Sequence, residues 1–191
     1  MTRLEPAPLS GHDIAQAVDW SIVTRRSVRA FLPTPVPRTE IEAIVDVARH
    51  CATGVNIQPW RVHVLMGEAK DRLTAAIEAI RADPAQDAML SDAYDYYPRQ
   101  WISPYVDRRR EVGWRLYGLL DIAKNDKARM HRQFGRNYRF FDAPVGLIFM
   151  IDRVLQEGSL LDYGMFLQSV MVAARARKLG TCPQAAFLKY H

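Results

Sequence analysis

The stretch APVGLIFMID, Ala143 to Asp152, is an unbroken apolar run bounded by a proline on one side and an aspartate on the other. Such a run, without the alternation of a half-exposed strand, suits a strand expected at a sheet centre with both faces covered. It is too short to span a bilayer. Working outward, RVHVLMG, Arg61 to Gly67, alternates and reads as a second strand closed by Gly67. Between the two strands a helix is predicted over Glu68 to Arg81 and is broken by ADPAQD. An aromatic and arginine-rich stretch from Tyr94 to Tyr117 follows, a loop that becomes helical by Val106, and then a helix over Asp126 to Tyr138. Past the apolar run, Gly158 to Leu179 is a long helix with few charges before ARARK, where cations favour the C-terminus.

Upstream, Ile14, Val18 and Ile22 recur at helical spacing behind Asp13, which can cap the helix; the helix ends near Arg25. FLPTPVPRTE is an extended connector, and Thr39 is expected to cap EIEAIVDVARHC, with Ile41, Ile44, Val45 and Ala48 on one face. The order is two helices, strand, helix, helical insertion, strand and long helix, so the fold class is α+β, helices flanking a small sheet. Two strands are few for such a sheet; either more strands are present or another subunit completes it.

The 191 residues fit one domain, and 49% hydrophobic with 25% charged residues is a globular composition. The net charge of +5 is local: Arg99 to Arg139 holds eleven Lys and Arg against four Asp and Glu. A basic face suits phosphate-bearing small molecules; with no RNP-like motif, zinc finger or basic tail, nucleic acid is not the expected partner. Two cysteines exclude a disulfide framework, and the start MTRLEPAPLSGHD has no apolar signal core. The expected setting is reducing and cytoplasmic, without a membrane. His50, His63, His131 and His191 lack metal-ligand spacing.

Three short stretches carry the chemistry. In TRRSVRAF, Thr24 to Phe31, Ser27 and Arg29 lie two apart and face the same way if the segment is extended, and a guanidinium fork matches phosphate or a planar N–C=O edge. An anion-binding corner and solvated charge at a helix end both fit. CATGVNIQPW, Cys51 to Trp60, is a helix C-terminal turn with Gly54 as its left-handed residue, and Asn56, Gln58 and Trp60 follow directly behind it. LGTCPQAAF, Leu179 to Phe187, is a turn of small side chains that lets backbone N–H groups approach a flat ligand; a plain post-helix loop fits as well. Cys182 has no identifiable base and reads as a packing residue.

RRSVRAF, GVNIQPW, FFDAPVGLIFMID and LGTCPQAAF, in this order, resemble the FMN-dependent nitroreductase family, from about Ile14 to the end. The resemblance implies a three-layer nitroreductase-like α+β fold, with a small mixed or antiparallel sheet flanked by helices, in an intertwined homodimer with two FMN sites at the interface and exchanged C-terminal tails. Carried over, Arg25 and Ser27 match positions that hold the FMN phosphate and ribityl chain, with Arg26 beside them, and Arg29 matches the cation at the flavin N1/O2 edge. Ala52, Thr53, Gly54 and Asn56 match the stretch reaching the ring from the partner, and Val55 lines the substrate side. Pro183, Gln184 and Ala185 match the turn on the other ring face, where a backbone N–H bonds N5, and Arg139 matches a second basic contact. The sequence departs from many relatives in having Ala52-Thr53 where they have Pro-Ser. It also ends at His191, before the family's tail and its phosphate-clamping basic residue. That leaves a shortened chain, a flavin held without the clamp, or a weakened flavin site; one lost charged contact weakens binding about ten- to a hundred-fold.

The implied activity is ping-pong electron transfer from NAD(P)H through FMN to nitroaromatics, quinones or similar small electron-poor acceptors, the flavin carrying the chemistry and no side chain acting as acid or nucleophile. A dehalogenase-like or flavin-fragmenting relative, and a truncated non-catalytic flavin-binding dimer, are the alternative readings. The Tyr94–Tyr117 stretch is either a lid over the pocket or interface and core packing.

Overall fold

The computed structural model describes residues 10–191; most of the MTRLEPAPLSGHD start lies outside the described residues. Seven α-helices and a two-stranded sheet are present among the described residues, as the α+β expectation requires. They are α1 (Gly11–Thr24), α2 (Arg38–Ala48), β1 (Trp60–Met66), α3 (Gly67–Ala82), α4 (Pro84–Ala88), α5 (Tyr105–Leu119), α6 (Lys127–Gly135), β2 (Val145–Ile151) and α7 (Glu157–Ala176), with 3₁₀ turns at Gly54–Asn56, Arg136–Asp142 and Ala186–Tyr190. Arg61, at the start of β1, lies 3.6 Å from Asp152, just past the end of β2, the juxtaposition of antiparallel neighbours. No described helix is long and apolar enough to cross a membrane.

Several boundaries move for local reasons. The cap of α1 is Ser10, whose hydroxyl accepts the Asp13 N–H, so Asp13 sits in the first turn where its charge opposes the helix dipole favourably. Pro37, not Thr39, precedes α2, and no side chain caps that end. ADPAQD breaks α3 and starts α4 in the same step, because Asp83 accepts the N–H groups of Ala85 and Gln86 ahead of Pro84 at the first turn.

The chain divides into two compact units. The first runs to Val64 and resumes over Leu147–Pro183. Its core joins Ile44 and Ala48 of α2 to Phe166, Val170, Ala173 and Ala174 of α7. Trp60 stacks on Phe166 with ring centroids 4.4 Å apart and planes 7° apart, and Phe149 of β2 meets the same ring edge-on at 6.0 Å. Burying one such ring stabilises by about 1.5–3 kcal/mol, which is why the apolar face of α7 decides where both strands lie. The expected stripe of α1 has the right spacing, yet Ile14, Val18 and Ile22 are each about half exposed, at 47%, 48% and 49%. β2 also differs from its expectation: only Gly146 is buried along it, because a two-stranded sheet covers less than a central strand needs.

The second unit is Leu65–Gly146 with Gln184–His191. Its core holds Ile77, Ile122, Tyr138, Phe140, Phe141 and Ala143. Phe140, Phe141 and Asp142 all adopt left-handed backbone, φ 53°, 52° and 65°, a costly run that burial of the two phenyl rings offsets. Gly146 leaves room for it: a Cβ there would meet the Phe140 ring at 2.5 Å. Tyr138 receives Phe187 and Tyr190 edge-on, with the Arg81 guanidinium 4.7 Å from its ring centre.

Candidate functional site

Helix α1 stops because Arg25 turns extended, φ −60° and ψ 134°. The segment beyond it is stitched to the turn after α7: the Val28 N–H donates to the Thr181 carbonyl at 2.9 Å, and Ser27 bridges Thr181 in parallel register. Gly180 permits this approach, since a Cβ there would lie 3.1 Å from the Val28 side chain. The start of RRSVRAF is therefore extended, at Arg25 and through the Ser27 bridge. Arg29 Nη1 donates back to the Ser27 carbonyl at 3.3 Å. Arg26 is exposed and donates to the Val23 and Arg25 carbonyls, satisfying the end of α1.

Arg25 is different. Its Nη1 is buried and, among the described residues, has no hydrogen-bond partner. An unmet buried guanidinium donor is costly, because the group has left water without compensation. Beside it is a pocket of about 240 Å³ lined by Thr24, Arg25, Arg26, Arg175, Gly180 and Thr181 among others, with three guanidiniums and no carboxylate in the lining. Cys182 lies close by; burial pushes its thiol up, and Arg29 and Arg25 only partly oppose this, so it is a poor thiolate.

The stretch after α2 belongs to the same unit and is strained. Gly54 is not its left-handed residue, as the sequence suggests; Val55, Asn56 and Gln58 are, at φ 42°, 60° and 51°. A β-branched residue with that backbone is a true outlier, and Val55 is 93% exposed, so no packing of its own side chain holds it there. What holds it is Asp162 of α7. This carboxylate, 9% exposed, accepts the Gly54 N–H at 2.9 Å. Asn56 accepts from the Gln58 amide at 2.8 Å, and Thr53 Oγ1 accepts the Gln58 N–H. Ala52, beside the loop, joins Cys51, Leu160, Leu161, Gly164 and Met165 along a cleft of about 540 Å³. Burial, and then the nearby Asp162 charge, raises the Cys51 thiol.

Of the sequence-derived candidates, Arg25, Arg26, Ser27, Arg29, Ala52, Thr53, Gly54, Val55, Asn56 and Pro183 lie in the first unit, and Arg139, Gln184 and Ala185 in the second. There, Arg139 is exposed, 3.9 Å from Glu78 and 4.0 Å from Asp142. Gln184 donates to the Asn137 carbonyl and side-chain oxygen, both at 3.0 Å, and Ala185 precedes the last 3₁₀ turn. Sequence reading missed Asp162 and Arg175. Asp162 was legible as the one acid inside the apolar LLDYGMFLQSV run; Arg175 had no signal beyond its place at a helix end.

The nitroreductase family model matches residues 22–191. The chain belongs to the nitroreductase family. Among relatives of this nitroreductase, a 4-nitrobenzoate reductase of Pseudomonas putida is 44% identical over 172 residues, covering 90% of this chain and 74% of its own length. A chloronitrobenzene nitroreductase of Comamonas testosteroni is 41% identical, with 91% and 76% covered. The crystal structure of the FMN- and NADPH-dependent nitroreductase NfnB from Sphigopyxis sp. strain HMH superposes with a TM-score of 0.86 at 37% identity, covering 91% of this chain and 77% of that one.

Proposed function

We propose that this nitroreductase is an FMN-dependent NAD(P)H oxidoreductase that reduces nitroaromatics, quinones and similar electron-poor acceptors as a homodimer. The observation that carries this reading is the buried Nη1 of Arg25, without a hydrogen-bond partner among the described residues, in a pocket whose charged lining is guanidinium alone. Such a donor set suits a phosphate dianion, and the residues present therefore fit FMN. When bound, FMN supplies two-electron transfer from NAD(P)H to the acceptor.

In this reading Arg25 and Ser27 hold the phosphate and ribityl chain, Arg26 fixes the helix end beside them, and Arg29 faces the pyrimidine edge of the ring. Ala52, Thr53, Gly54 and Asn56 reach the ring from the partner subunit, with Val55 on the acceptor side. Pro183, Gln184 and Ala185 supply the other wall, and Arg139 a second basic contact. The strained loop fits its part, since backbone held in a sparse conformation by a neighbouring helix is pre-organised for a ligand. Half-exposed Ile14, Val18 and Ile22 and the cleft along Leu160 and Leu161 support burial against a second copy. Two free cysteines support a reducing, cytoplasmic setting.

The test is NADPH and NADH oxidation by flavin-loaded protein with 4-nitrobenzoate, nitrobenzene and a quinone. Acceptor-dependent turnover is expected. Flavin-loaded protein that oxidises neither donor with any acceptor would overturn the proposal.

A further inference from the structure

The resemblance that names Arg25, Ser27 and Arg29 says nothing of Arg175, yet the structure ties this residue into the same corner. Arg175 comes from the last turn of α7. Its Nε donates to Thr24 Oγ1 at 2.8 Å, and its guanidinium carbon lies 4.3 Å from the centre of the Trp20 ring. A guanidinium held by a hydrogen bond on one edge and a ring on its face has little rotamer freedom left to lose on binding. It lines the 240 Å³ pocket with Arg25 and Arg26.

The charge balance makes this a ligand question. Two residues further on, Arg177 pairs with Glu40 at 3.3 Å. Among the described residues no carboxylate pairs with Arg175, Arg25 or Arg26, and the pocket lining holds no acid. Three like charges around one small pocket repel one another unless an anion joins them. The ends of α1 and α7 favour cations, yet covering Trp20 does not need one, since a methionine would cover the ring equally well.

We propose that Arg175 is the third cation of a phosphomonoester seat in this pocket, a binding residue contributed by α7. This rests on the oxidoreductase reading for its two sources of that chemistry, the phosphate of FMN and the 2′-phosphate of NADPH. Thr24 and Trp20 hold Arg175 in place.

The experiment compares the wild-type protein with Arg175→Gln, whose amide can still donate to Thr24 but carries no charge. Four quantities are measured: the Kd for FMN, the Kd for riboflavin, and the KM for NADPH and for NADH. The expected result is FMN affinity lowered ten-fold or more, as for a lost charged contact, with riboflavin affinity unchanged, which assigns the seat to the flavin phosphate. A rise in KM for NADPH and not for NADH, with FMN unaffected, supports the seat with the other source. Equal losses for FMN and riboflavin, or no change in any of the four, overturn it. Should Arg175→Gln fail to fold, Thr24→Val removes the bond on Nε together with the hydroxyl's own bond to the Trp20 carbonyl; a fall of about threefold in the ratio of FMN to riboflavin affinity is then expected, and an unchanged ratio overturns the proposal. Wild-type protein that binds neither flavin would instead refute the oxidoreductase reading itself.

Discussion

Replacing Asp162 tests whether one buried carboxylate holds the loop at 52–58 in its strained shape. Left-handed backbone at a β-branched residue such as Val55 costs about 1–3 kcal/mol. A hydrogen bond to a charged group contributes about 1.5–3 kcal/mol, and the Gly54-to-Asp162 bond, 2.9 Å long on a carboxylate only 9% exposed, belongs to that class. The two terms are of one size, so the loop stands near balance and the carboxylate tips it. Asp162→Asn keeps an acceptor of the same shape and should cost well under half of what Asp162→Ala costs; the alanine variant should lose about 1.5–3 kcal/mol in urea unfolding and bind FMN about ten-fold more weakly. The Cys51 thiol gives an independent reading. Its pKa is raised first by burial and then by the Asp162 charge, so both variants should react faster at neutral pH with a disulfide reagent, read by peptide mapping to separate Cys51 from Cys182. An alanine variant with wild-type stability and flavin affinity, and an unchanged Cys51 rate, would refute the reasoning.

Arg29→Ala should lower the midpoint potential of the bound flavin by about 30–60 mV, the equivalent of a lost charged contact of about 1.5–3 kcal/mol, in a spectroelectrochemical titration; no shift would remove Arg29 from the ring edge. Gly146→Ala should destabilise by about 1–3 kcal/mol, because its Cβ would meet the Phe140 ring at 2.5 Å; thermal unfolding measures it. Lys189 at 2.7 Å and the Tyr190 hydroxyl at 2.9 Å hold Asp87 below the usual carboxylate range. A lowered folded pKa contributes stability that is full above about pH 3.9, the ordinary aspartate value, and is lost as pH falls through the lowered one. Hydrogen exchange of the 186–190 turn should therefore accelerate only in that acid window, and Asp87→Asn should abolish the dependence.

How much of this could be read before the structure depends on whether local chemistry or distant packing decided each element. The periodicity of α2, the low charge of α7 and the apolar run of β2 made these elements legible from local pattern, although β2 is buried only at Gly146. Caps were less so: Ser10 and Asp13 are both good N-cap residues three apart, and only the hydrogen bond from the Asp13 N–H separates them. The left-handed Phe140–Asp142 run was not legible, since aromatic residues disfavour that backbone and only burial against the second unit's core overrides it. Gly54 attracted the left-handed assignment that belongs to Val55 for the same reason: local propensity favours glycine, whereas a carboxylate 108 residues away in sequence sets the loop. The arginine corner could be read as a pattern, but the unmet donor on Arg25 that makes the pattern a candidate ligand site is visible only once its surroundings are in place.

The most direct measurement is a titration of flavin-free protein with FMN, followed by visible absorbance and quenching of flavin fluorescence, in wild type and Arg25→Ala. Saturable binding by the wild type, weakened about ten- to a hundred-fold by the substitution, is the expected result. Equal affinity in the two proteins would contradict the claim that the arginine corner seats the flavin phosphate.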